Sequence, residues 1–301
     1  MSLYLIAANP ASTTPTPAHT HLDTERRRAY PSDTSDTEWE ILAPLVPVGG
    51  PPPGRGGRPV TYPRRDIVDA IRYLDHNGCV WRALPIDFPP RSLVTHYFTR
   101  WTRDGTLDRI HAALREAVRV AEGHHPQPSA ALIDSQSIRA AETVGQPSRG
   151  YDAGKNVNGR KRHIIVDTTG LLLAILVTGA HTQDRDGGRA LIWAIRQCFP
   201  TITMIWADSG YQGKLIDWAA TLGLTIQIVR KLTGQTTFVV HHRRWVVERS
   251  FSWINRSRRT VRDYERLPQH HAAMVQWAMI IIMTRRLARY QTTGKLPKLT
   301  N

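Results

Sequence analysis

Asp134 and Asp208 each close an apolar run, Ala131-Leu132-Ile133 and Ile202-Thr203-Met204-Ile205-Trp206-Ala207, and Glu248 follows Trp245-Val246-Val247. A carboxylate at the end of a strand-like run leaves the buried sheet and faces a crevice. Three brought together would repel one another and raise their own pKa values unless divalent cations neutralised them. Hard-oxygen donors of this kind suit Mg²⁺ or Mn²⁺. Two such ions about 3.5–4 Å apart activate a water or a 3′-hydroxyl on one side of a phosphodiester and stabilise the leaving oxygen on the other. In-line phosphoryl transfer is therefore the chemistry expected of the trio, although an Asp at a strand end, taken singly, is as readily a turn or cap residue.

The neighbours of these carboxylates are rich in donors. Helical spacing places Arg244, Ser252, Asn255 and Arg259 at i−4, i+4, i+7 and i+11 from Glu248, with Arg256 beside them. Such a stripe suits a nucleic-acid backbone, and it also suits a solvated helix whose glutamate is satisfied by Arg244 or Ser252. Lys155, Arg160, Lys161, Arg162 and His163 fall in the segment GKNVNGRKRH, either a loop that approaches phosphates or a solvated one. His181 and Asp184 precede a helical segment, and capping is the simpler account of Asp184 or Asp186. Trp245 and Trp253 read as core rather than base-stacking residues.

The elements that must position these groups follow from periodicity. Residues 1–32, rich in Thr, Pro, Ala and Ser, read as a disordered leader. From Ser35 the pattern turns helical: a capped first helix, a Gly/Pro-rich basic loop over 46–63, a helix from Asp66 to Asn77 stopped by Gly78, and an aromatic-rich helical stretch to about Val120. That makes residues 33–122 a small all-helical domain. After the linker His124–Pro128 the period becomes strand-like, and 129–290 reads as an α/β unit of mixed sheet with flanking helices. Within it Lys161–Asp167 and Leu171–Thr178 form a hairpin about Asp167-Thr168-Thr169-Gly170, and Gln269–Tyr290 forms a last helix. Residues 291–301 are a basic tail.

The chain has 301 residues, 41% hydrophobic, and a formal charge of +15, which excludes disorder throughout and points to a polyanionic partner. Residues 230–301 hold 15 Lys/Arg against three acids, so 12 of those charges lie there. Of 40 basic residues 34 are Arg, which suits bidentate phosphate contacts and equally a GC-rich genome. Two distant cysteines, Cys79 and Cys198, exclude a disulfide framework or zinc knuckle. No apolar run has the length of a membrane span, so a cytoplasmic protein is expected, with no membrane and no small-molecule substrate.

The words around the carboxylates are Ile133-Asp134-Ser135-Gln136-Ser137, Ala207-Asp208-Ser209-Gly210-Tyr211 and Arg244-Trp245-Val246-Val247-Glu248-Arg249. In this order the chain resembles the DDE transposases of the IS4/IS5 type, specifically the IS5-like group, over roughly residues 36–290. The resemblance implies an RNase H-like core in which Asp134, Asp208 and Glu248 hold two Mg²⁺ or Mn²⁺ ions. It implies double-stranded DNA as partner, with Arg244, Asn255, Arg256, Arg259, Lys155, Arg160 and Lys161 as candidate contacts and a homodimer on DNA. The helical segment before the core, including Gly78-Cys79, Trp81-Arg82, Leu84-Pro85 and Asp87-Phe88-Pro89-Pro90, resembles the DNA-end-binding part of the group. Only 39 residues separate Asp208 from Glu248, so the large β insertion of some relatives is absent. Around the glutamate the wider family carries Tyr, two residues, Arg, three residues, Glu, six residues, Lys; here Arg244 and Glu248 match, while His241 and Asn255 replace the Tyr and Lys. The expected activity is metal-dependent cleavage and joining of the element's terminal repeats. The rivals are a catalytically silent DNA-binding relative and a nuclease without strand transfer.

Overall fold

Strand-forming runs build the centre of the molecule. The computed structural model describes residues 4–5, 26–47, 61–229 and 242–294, with side chains of the last stretch described from 245. Its strands are β1 (Tyr4–Leu5), β2 (Ala130–Arg139), β3 (Gly150–Asp152), β4 (Val157–Asp167), β5 (Leu172–Gly179), β6 (Met204–Ala207) and β7 (Thr225–Ile228). They form one mixed sheet in the order β1-β5-β4-β2-β6-β7, with β3 also beside β4. β5, β4 and β2 are antiparallel neighbours, whereas β2, β6 and β7 run parallel. The expected hairpin is β4–β5, its first strand beginning four residues early at Val157. Asp167 closes it by accepting from the backbone of Thr169 and Leu171, both at 2.9 Å, and Gly170 takes the positive φ of +86° that the turn demands.

One expectation needs correction. Asp134 does not end its strand, because β2 runs on to Arg139 against β4. Pairing with the shorter β6 stops at Leu132↔Trp206, so Asp134 is open on that side alone.

Helices cover both faces. Before the sheet lie α1 (Asp36–Leu42), α2 (Arg64–Asn77), α3 (Arg91–Arg103) and α4 (Thr106–Ala121). After it begins come α5 (Asp184–Cys198), α6 (Lys214–Thr221), α7 (His242–Ile254), α8 (Arg258–Val261) and α9 (Pro268–Thr293). The Ser35 hydroxyl caps α1 by accepting from Glu38 N at 3.1 Å, and left-handed Gly78 ends α2, as the sequence pattern indicates. The architecture is an α/β core of RNase H-like type behind a helical N-terminal region.

That region has no core of its own. Leu42, Ile71, Phe98, Trp101 and Leu114 belong to the same apolar cluster as Leu132, Ile164 and Val166 of the sheet and Trp253, Met274 and Trp277 of α7 and α9. The other sheet face packs Ile133, Ile165 and Ile205 against Leu191 and Ile195 of α5. Across the first interface Arg119 of α4 donates to the buried Asp167 carboxylate at 2.5 Å, and Gln276 of α9 donates to Asp108 at 2.6 Å. Packed chain also begins before residue 33: Arg26 pairs with Asp33 at 2.6 Å and reaches Asp69 and Asp87, while Arg72 donates to Ser32 O at 3.0 Å. Among the described residues no helix is long and apolar enough to cross a membrane.

Candidate active site

β-Alternation sorts the residues around Asp134 into two sets. Leu132, Asp134 and Gln136 face α7 and α9, while Ile133, Ser135 and Ser137 face α5. Asp208 follows β6 as Asp134 follows Leu132, two residues past the last parallel pair, so the two carboxylates stand side by side. Asp134 accepts from Ser135 N at 2.7 Å and Asp208 from Gly210 N at 2.9 Å. A narrow cleft between them is lined by Leu132, Ile133, Asp134, Trp206, Ala207, Asp208, Val229 and Val247.

Burial pushes the Asp134 carboxyl up to about 7, and the charges of Asp208 and Asp184 push the same way, against the Ser135 N–H and Lys155. The site thus holds more negative charge than its own donors balance, with hard oxygens as the available ligands, which is the donor chemistry a divalent cation fits. Glu248 is exposed on α7, one position from cleft-lining Val247. Among the described residues no three Asp, Glu, His or Cys side chains stand close enough to hold one ion together. The structure brings Asp134 and Asp208 together and leaves Glu248 on the adjoining helix.

Asp184 has a different place from the capping role expected of it. Gln183 takes the N-cap position of α5 without a side-chain capping bond, and the Asp184 side chain turns to the strands, accepting from Ser135 Oγ at 2.7 Å and Lys161 Nζ at 3.0 Å. Burial pushes its pKa up, but those hydrogen bonds and the charges of Lys161 and Lys155 together hold it below the ordinary carboxylate value. Beneath the carboxylates the Tyr211 ring is buried, and Asp134, Asp184 and Asp208 raise its pKa further after burial itself. The ring lies over Gly188, where a Cβ would stand 2.7 Å from Tyr211 Cε1. Sequence reasoning found Tyr211 only as part of a motif; its spacing from Gly188 carried no signal of the contact.

The expected DNA contacts divide. Lys155 is exposed in the β3–β4 turn and its charge reaches Asp134 and Asp184; Arg256 is exposed after α7. Arg160 is fully buried, donating to Asp263 Oδ2 and Glu265 O at 2.8 Å and to Ser148 and Arg266 O. Lys161, 6% exposed, bonds Thr182 O at 2.8 Å and pairs with Asp152 and Asp184. Arg259 is buried against Glu265 at 2.7 Å and donates to Cys79 O. These three cations, expected to meet phosphate, are instead neutralised inside the fold, because 160 and 161 lie within a covered strand and 259 under α2. Asn255 is half-buried and accepts from Arg162 at 2.6 Å. The side chain of Arg244 and all of His241 lie outside the described residues. Trp253 is core, as expected; Trp245 is half-buried, with the Arg249 guanidinium 4.4 Å from its ring centre.

Residues 125–283 match a family model described as "Transposase DDE domain", and residues 34–111 one described as "Putative transposase of IS4/5 family". A protein of Burkholderia cepacia named "Putative transposase for insertion sequence element IS402" is 28% identical over 158 residues, covering 48% of this chain and 72% of that one. Among solved structures, the Drosophila P element transposase strand transfer complex aligns with a TM-score of 0.31 and 16% identity over 65% of this chain. This chain spans only 45% of that protein's length.

Proposed function

This chain belongs to the transposase DDE domain family, and on that premise we propose that it binds the terminal inverted repeats of its own insertion sequence, cleaves DNA at the ends and joins the freed 3′-hydroxyls to target DNA. The observation that carries the reading is the pairing of Asp134 with Asp208 past the last parallel bridge of β2 and β6, in a cleft that α7 flanks with Val247. Asp134 and Asp208, with Glu248 of the adjoining α7, would hold Mg²⁺ or Mn²⁺, two ions in the complete site. Such ions supply polarisation of the phosphodiester and a more acidic attacking hydroxyl.

The chain's own side chains do the rest. Lys155, exposed in its turn and within electrostatic reach of Asp134 and Asp184, would offer its ammonium to an incoming phosphate. Arg256, exposed just after α7, adds positive charge along the path of a cut strand. Asp184, held by Ser135 and Lys161, ties the middle of β2 to the start of α5 beneath that path. The Asp134 carboxylate accepts from Ser135 N within β2 and the Asp208 carboxylate from Gly210 N in the turn after β6, so both side chains are oriented before DNA arrives. Pairing two ends requires two such sites, so the DNA complex is a dimer.

The test is strand cleavage and joining on a labelled duplex carrying the element's end, in Mg²⁺ or Mn²⁺, by the native chain and by Asp134→Ala, Asp208→Ala and Glu248→Ala. Loss of both steps in every variant with retained end binding supports the reading. Cleavage without joining replaces it with a nuclease, and binding without chemistry under either metal replaces it with a silent DNA-binding relative.

A further inference from the structure

Arg162 is a buried cation spent on neutral acceptors. Its guanidinium is fully enclosed, and burial lowers its pKa to about 9. Nε and Nη2 donate to Gln136 Oε1, the former at 3.0 Å; Nη1 donates to Thr260 O at 2.9 Å; Nη2 donates to Asn255 Oδ1 at 2.6 Å. The Phe251 ring centre lies 5.6 Å from the guanidinium carbon. Burying a charge without a carboxylate in contact is costly, so what the fork joins is informative.

On one side it joins β2. Gln136 is the residue directly across from Arg162 in the ladder and shares its face with Asp134, two positions away. On the other it joins the C-terminal end of α7, where Phe251 lies three residues after Glu248 and Asn255, the residue just past Ile254 whose N–H still bonds Phe251 O, lies seven after it and continues the same stripe. A second tie holds the same helix elsewhere: Ser250 Oγ donates to Gly170 O at 2.7 Å and Arg249 to Thr169 O at 2.9 Å. That tie fixes α7 to the far end of the β4–β5 hairpin, and Val247, Phe251, Trp253 and Ile254 pack the helix into the core; the bonds to Arg162 are the polar contact on the side of β2 that carries Asp134.

We propose that Arg162 is a positioning residue that sets the Glu248 stripe of α7 against the Asp134–Gln136 stripe of β2, with Asn255 as its acceptor at the helix's C-terminal end. The proposal rests on reading Asp134, Asp208 and Glu248 as one site. Asn255 then has its oxygen committed inward, and its place at the lysine position of the wider pattern is a structural pairing with Arg162.

The experiment is a pulsed electron-resonance distance measurement on the full chain. Cys79 and Cys198 are replaced by Ser, and spin labels are placed at the exposed positions Arg139→Cys on β2 and Ser252→Cys on α7. With Arg162 the distance distribution is narrow; Arg162→Met broadens and shifts it, and Arg162→Lys restores it in part. Without labels, Arg162→Met lowers the maximal rate of supercoiled-plasmid nicking in Mn²⁺ by about 100-fold while half-saturation by plasmid stays within twofold, as expected of displaced catalytic groups. An unchanged distribution, or nicking that falls only with the folded fraction, overturns the proposal. If Arg162→Met does not fold, Asn255→Ala keeps the bonds to Gln136 and Thr260 and releases only α7, and an unchanged distribution there overturns it equally. A native chain that nicks no plasmid under any metal defeats the proposed function, and the distance measurement still decides the role of Arg162.

Discussion

Asp134 within β2 and Asp208 just past the end of the adjacent parallel strand β6 stand at matching positions, each two residues past the Leu132↔Trp206 pair. The arrangement crowds like charges in a cleft and is unfavourable until a cation enters. In metal-free buffer Asp134→Asn and Asp208→Asn should each unfold at a higher temperature than the native chain. Saturating Mg²⁺ or Mn²⁺ should reverse the order, stabilising the native chain by about 2.7 kcal/mol at one hundred times Kd and the double Asn variant hardly at all. Equal metal-induced shifts in thermal unfolding of both proteins would remove the cation from this cleft.

The buried Arg119–Asp167 pair joins α4 to the hairpin turn, inside an apolar cluster that the N-terminal helices share with the sheet. Removing one partner strands the other charge, so Asp167→Asn and Arg119→Met should each cost about 3–5 kcal/mol. For the same reason a fragment beginning at residue 125 should be insoluble or bind hydrophobic dye strongly, although it contains the whole family-matched catalytic segment. A monodisperse, cooperatively unfolding fragment in ultracentrifugation and calorimetry would show that the sheet face needs no such cover.

The carboxylate words, the β4–β5 hairpin and the helix-to-strand switch were legible because each rests on local pattern: alternation, a turn sequence, a cap. The fates of the cations were not. Arg160, Lys161 and Arg259 look like phosphate ligands in a basic segment, and only tertiary neighbours far along the chain, Asp263 for Arg160 and α2 for Arg259, make them internal. Asp184 has the sequence neighbourhood of a cap, but its partners Ser135 and Lys161 come from strands 49 and 23 residues away. Period and propensity carry no information about such pairings.

Asn255→Lys would restore the residue of the wider pattern and should nonetheless harm the protein. An ammonium there loses the oxygen that accepts from Arg162 and places a second cation beside it. The variant should be destabilised by about 2–3 kcal/mol in denaturant unfolding, and pairing it with Arg162→Met should recover part of the loss. A variant as stable as the native chain would mean the lysine can turn outward freely.

Gly188 and Tyr211 form a second tight contact, below the carboxylates. Gly188→Ala places a methyl 2.7 Å from the ring and must move either α5 or Tyr211, so it should cost about 1–3 kcal/mol and reduce cleavage with it. Tyr211→Phe keeps the ring and should change stability by less than about 1 kcal/mol, since the hydroxyl has no well-aligned partner. Should Gly188→Ala prove neutral in both unfolding and cleavage, the ring has room the structure does not show.

Asp75 of α2 supplies a pH test away from the site. Its carboxyl is fully buried, and burial pushes its pKa up to about 7, with Ser257 and Arg259 opposing and Glu265 assisting. In the folded chain it stays protonated to about pH 7, whereas the unfolded chain releases the proton near 4. Its contribution to stability is therefore fully present below about pH 4 and declines as pH rises toward 7. Asp75→Asn, which cannot ionise, should match the native chain near pH 4 and exceed it progressively up to pH 7–8, by about 3–4 kcal/mol at most. Urea unfolding of both proteins across that range measures the difference directly. A constant difference would mean that Asp75 titrates normally in the folded state, and a difference growing toward acid would mean that it is ionised there and held by Arg259.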